Sequence, residues 1–185
     1  IPDSSSQSNR GRWSAGRDGD TLPAMTVPVE ISAWKPAPFA LKGETVFAVG
    51  DVHGCATELR ALLTAIADVA KTSSGPRRLI YLGDMINRGP DSIGVLELWA
   101  EKAETRGVDR IDRVMGNHEI MMMLAVIGGP HAHKAEAMWL SKRMGGQKLF
   151  DQMVARAGGP AAHVDQSLLQ SALGRRVVLR LHGMR

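Results

Sequence analysis

The chain has 185 residues (19.9 kDa), 44% of them hydrophobic and 23% charged, with a net charge of +4. That length can bury one core, the composition excludes a chain disordered throughout, and no apolar run is long enough to span a bilayer as a helix. The single Cys55 excludes an internal disulfide framework and a cysteine-rich zinc site; without a basic run or an aromatic platform, a nucleic-acid partner is not expected, despite a pI near 9.6.

Residues 1–40 hold five of the nine prolines and six serines, and their apolar residues follow no period. They are expected to form an irregular or disordered N-terminal arm. The stretch 1–20 has no apolar segment of signal-peptide type, so a cytoplasmic location is expected. The folded domain is expected over 41–185.

Within it, TVFAV at 45–49 reads as a buried strand ended by Gly50. A helix is predicted over 57–70, with Leu59, Leu62, Leu63, Ile66 and Val69 on one face. Ser73-Ser74-Gly75-Pro76 breaks it. A second strand follows at 79–82, a second helix at 92–104, a third strand at 110–115, and a third helix from near His118 to Val126. This alternation predicts crossover units and a largely parallel sheet, an α/β fold. Beyond Gly128-Gly129-Pro130 the chain reads as helices over 134–144, 147–157 and 166–173. A last strand is predicted at 176–181, with a turn at His182-Gly183.

Three polar clusters directly follow the three strands: GDVHG at 50–54, GDMINRG at 83–89 and GNHE at 116–119. Sites in open parallel sheets form at the carboxyl ends of strands, so these clusters should meet at one place. Asp51, His53, Asp84 and Asn117 offer carboxylate, imidazole and amide donors, which suit manganese, iron or zinc. Paired cations of this kind clamp a phosphoryl group and activate water. Arg88 suits phosphate oxygens, and His118 suits proton donation to a leaving group. His131 and His133 read as loop residues lacking a third ligand nearby, and His163 as a surface residue.

These three motifs, in this order, resemble the calcineurin-like metallophosphoesterases, and more narrowly the phosphoprotein phosphatase group with the bacterial diadenosine tetraphosphatases. Trp139-Leu140 and Gly145-Gly146 fit bacterial members more loosely. The resemblance implies a β-sandwich flanked by helices, here its N-terminal portion with a helical insert. It implies two divalent metal ions, manganese first and iron or zinc as alternatives. Asp51 and His53 would bind the first ion, Asp84 would bridge, and Asn117 would bind the second beside the substrate. Arg88 would hold the substrate phosphate, and His118, with Asn87 behind it, would be the general acid. A metal-bridging hydroxide would attack phosphorus in line. The substrate expected first is a phosphorylated protein, as phosphoserine or phosphothreonine. The alternatives are a small dinucleoside polyphosphate, or phosphate binding without turnover.

Two departures from the family pattern stand out. Asn87 replaces an acidic residue that pairs with the motif-three histidine, which weakens support for an imidazolium. The family also has two further metal-binding histidines after the third motif. Only His131, His133, His163 and His182 remain, and a turn at His182 with the true ligand beyond Arg185 is favoured. The domain is thus expected to lack its C-terminal part.

Overall fold

The structure, a computed structural model, describes residues 27–30, 32, 33, 35 and 41–183. The arm expected over 1–40 lies largely outside them.

Strands β1 (Thr45–Val49), β2 (Arg77–Tyr81) and β3 (Arg110–Arg113) form one parallel sheet in the order β1-β2-β3. Phe47 pairs with Leu79 and Val49 with Tyr81; on the other side Leu79 pairs with Ile111. Period-two alternation therefore sets Phe47, Val49, Leu79, Tyr81 and Ile111 on one face. Val49, Leu79 and Tyr81 are buried there, in a cluster with Leu59, Leu63 and Ile66 of α1 (Ala56–Thr72) and Leu96 and Trp99 of α2 (Ser92–Trp99). The opposite face carries Ala48, exposed, and the ion pair of Arg78 with Asp112 at 2.5 Å. Among the described residues there is one three-stranded parallel sheet, and the two-sheet sandwich implied by the resemblance is not seen among them.

The second helix ends earlier than predicted. Arg113 donates to the carbonyls of Trp99 at 2.8 Å and Glu101 at 2.7 Å, so a strand side chain satisfies carbonyls at and just past the helix end. A 3₁₀ turn at Glu104–Arg106 leads on to β3. Asp91 caps the start of α2 by accepting from the Gly94 amide at 2.7 Å.

Helices α3 (Asn117–Ile127), α4 (Ala132–Leu140), α5 (Gln147–Ala157) and α6 (Gln166–His182) complete the described residues. The strand predicted at 176–181 is instead the second half of α6, which bends at Gly174. Val177 and Val178 are adjacent and both buried, with Leu181 one turn on. A strand would point those two valines to opposite faces, whereas a helix puts them on one stripe with Leu181. A six-residue apolar run does not distinguish these periods by itself. The predicted turn at His182 is likewise helical, and its Nε2 lies 3.1 Å from Gln166 Oε1.

Candidate active site

The loops after β1, β2 and β3 meet, as strand ends in a parallel sheet should. The first two are laced by backbone bonds. Val52 and His53 amides both donate to the Asp84 carbonyl at 3.0 Å, Gly54 donates to Met85, and Gly89 donates to the His53 carbonyl, the last two at 2.8 Å. His53, Asp84, Asn87 and Arg88 all have left-handed backbones, with φ between 47° and 74°. Such conformations are uncommon for residues with a Cβ and collect at sites where the fold over-determines them. Gly116 explains the close approach of the third loop: a Cβ there would strike the Asp84 carboxylate and amide.

Glu119 holds the loops together. Its buried carboxylate accepts from the amides of Asp84 (2.8 Å), Met85 (2.9 Å), Ile86 (3.1 Å) and Gly116 (2.9 Å). Burial pushes this carboxyl above its ordinary value, while those amides pull it back. Glu119 thus supports the second and third loops.

His53, Asp84 and His118 each present one donor atom, all within 4.8 Å of one another. His53 Nδ1 lies 3.2 Å from the Ile86 carbonyl, which can only accept. The ring proton is therefore on Nδ1, and the Nε2 lone pair faces the site. Arg88 Nη1 donates to that Nε2 at 3.0 Å, and Asp51 Oδ2 is 3.8 Å from it. Asp51 sits at the rim, its side chain 69% exposed. Asp84 Oδ1 accepts from the His118 amide at 3.1 Å, so one oxygen is committed to the start of α3. Asn117 is the first residue of that helix rather than its cap, which is Gly116, and its amide reaches Met144 Sδ at 3.8 Å.

His118 is buried, with its ring edge-on to His53 at 4.7 Å between centroids. Its Nδ1 lies 2.8 Å from Asn87 Nδ2, and Asn87 Oδ1 accepts from the Trp139 indole at 3.1 Å. An indole N–H only donates, so it fixes which end of the amide faces it. The amide nitrogen then faces His118 Nδ1, which must accept, and the neutral ring carries its proton on Nε2. Burial holds this imidazole below its ordinary pKa; His53 and Arg88 add to that, and Asp84 opposes it. The sequence pairs Asn87 with His118 correctly, but nothing in its spacing points to Trp139 as the residue that orients the amide. Trp139 comes from α4 and is fully buried.

The donor set fits a divalent cation: an imidazole nitrogen with an oriented lone pair beside a carboxylate, with no thiolate. A family model described as calcineurin-like phosphoesterase matches residues 44–184. Similar curated proteins include the symmetrical bis(5'-nucleosyl)-tetraphosphatase of Nitrosospira multiformis, 32% identical over 93 residues, covering 50% of this chain and 30% of that protein. The protein of the same name from Methylococcus capsulatus is 38% identical over 85 residues, covering 45% and 27%. That from Methylobacillus flagellatus is 34% identical over 106 residues, covering 57% and 32%. The matches thus span about a third or less of each relative's length.

Proposed function

The chain belongs to the calcineurin-like phosphoesterase family, and from that premise we propose that its site serves metal-dependent hydrolysis of a dinucleoside polyphosphate. The carrying observation is the convergence of His53, Asp84 and His118 from three strand-end loops. The relatives' printed activity favours this substrate over the protein phosphoester expected first from the motifs.

Asn87 supports the same choice. A phosphoserine or phosphothreonine ester departs as a strongly basic alkoxide and needs full protonation. A phosphoanhydride departs as a weakly basic phosphate, with a pKa of about 6, which can leave as an anion with little help from an acid. An acid backed by an amide rather than a carboxylate suits the second leaving group.

His53 through Nε2 and Asp84 through its carboxylate would hold the cations, joined by Asp51 and Asn117 at the rim. Bound cations supply Lewis-acid activation of water and of the phosphoryl group. His118, whose Nε2 carries the proton, is better suited to donating toward the leaving oxygen than to ligating a cation. Arg88, already at the site, would take phosphate oxygens through its planar fork.

The test measures hydrolysis of diadenosine tetraphosphate and of a phosphothreonine peptide, each with added Mn²⁺, for the wild-type chain and Asp84→Asn. The expected result is two molecules of adenosine diphosphate per substrate. Its kcat/KM should exceed the peptide's by about tenfold or more, with a loss of about a hundredfold in Asp84→Asn. Peptide hydrolysis alone would return the substrate to phosphoproteins. Turnover unaffected in Asp84→Asn would remove the site assignment.

A further inference from the structure

Away from this site, α4 and the loop between α5 and α6 bring together three residues that the sequence keeps apart. His133 and Glu136 lie three positions apart on α4, hence on one face. His163 arrives from the loop before α6. One donor atom from each lies within 4.8 Å of the others. The loop reading of His133 is therefore corrected: it is helical, and the third ligand missing from the linear sequence is supplied by the fold.

We propose that His133, Glu136 and His163 form a second divalent-cation site, of zinc type, that ties the α5–α6 loop to α4. The donor set is two imidazoles and a carboxylate, which zinc takes with a fourth position left open. Around a tetrahedral zinc the donor atoms stand about 3.3 Å apart, a spacing these groups reach with small rotations. Glu136 is prepared for it. Its Oε1 accepts from the Val164 amide at 2.7 Å, which orients the carboxylate and leaves Oε2 beside His163 Nδ1 at 2.9 Å. Amide bonds of this kind support metal-ligating carboxylates. The His133 and His163 rings meet edge-on at 5.7 Å between centroids, both exposed, so an ion has a path in.

Charge argues the same way. The Glu136 side chain is only 11% exposed, and among the described residues its single ion-pair partner is His163. A carboxylate removed from water needs a compensating charge. The ring of His163 supplies one only when protonated, whereas a divalent cation supplies it fully.

The experiment strips the full chain of metal with a chelator, then titrates Zn²⁺ in competition with a chromogenic chelator. The chains compared are wild type, Asp84→Asn, His133→Ala/His163→Ala and His163→Gln. One tight equivalent should persist in Asp84→Asn and weaken by about a hundredfold or more in the other two variants. With Co²⁺ in place of zinc, the visible band of a tetrahedral ion should be lost in the same two. His163→Gln can still hydrogen-bond to Glu136, so it decides the matter if the double variant does not fold. Wild-type stoichiometry in either histidine variant would overturn the proposal. So would absence of tight zinc in Asp84→Asn, which would assign all binding to the first site and leave His163 and Glu136 as a hydrogen-bonded pair.

Discussion

At the residue scale, the buried line Trp139–Asn87–His118 does most to set the chemistry. Because the indole can only donate, the asparagine amide has one orientation, and the histidine proton is thereby assigned to the ring nitrogen away from it. Replacing Asn87 by Asp keeps the volume and the acceptor for Trp139, and places a carboxylate against Nδ1. That reverses the polarity of the contact and favours the imidazolium. In Asn87→Asp, kcat on an alkyl phosphate ester should rise by about tenfold, while a p-nitrophenyl ester, with its weakly basic leaving group, should change little. Equal gains on both esters would mean that the substitution acts on something other than protonation of the leaving group. Asn87 and His118 were legible in the sequence as partners because their motifs are. Trp139 was not: its position follows from how α4 packs, which no local spacing encodes.

At the element scale, two of the three strand-end loops are joined by one side chain. Glu119 sits in the first turn of α3, where a carboxylate also meets the helix dipole favourably. Its acceptance of four backbone amides makes it the common anchor of the second and third loops. Glu119→Ala would leave those amides buried without partners, and should lower stability by about 3 kcal/mol or more. Glu119→Gln keeps one acceptor oxygen and should recover part of that loss. Urea denaturation of the three chains checks both, and equal midpoints would mean that water replaces the carboxylate freely. The βαβ alternation behind these loops was plain in the sequence, because the first two strands carry short apolar runs, all three are followed by Gly-Asp or Gly-Asn, and the first crossover helix has a clear apolar stripe. The second half of α6 was not plain. Its apolar run is compatible with either period, and only burial of both Val177 and Val178 distinguishes them.

At the scale of the whole molecule, the buried sheet face offers a direct measure of the core. Tyr81 is the single tyrosine of the chain and is fully buried, its hydroxyl lacking a hydrogen-bond partner among the described residues. Burial raises its pKa from 10.0 to about 12, with Arg106 and Arg113 opposing. The unfolded chain loses this proton near pH 10, while the folded chain keeps it until about pH 12. Stability from this group is therefore complete below pH 10 and declines as pH rises toward 12, by roughly 2–3 kcal/mol in all. Phenolate absorbance near 295 nm should stay flat through pH 10 and rise together with unfolding. An earlier rise in the folded chain would mean that water reaches the ring. The second, helical half of the molecule was visible in the sequence as three helices and a last segment misread as a strand, and its relation to the site was not visible. That relation has a consequence for exchanging parts between relatives. Because the indole of α4 sets the orientation of Asn87, the helical segment and the Asn87–His118 pair form one transplantable unit. A chimera that imports the segment without its tryptophan, or the tryptophan without an amide to receive it, would inherit a histidine with an unassigned proton.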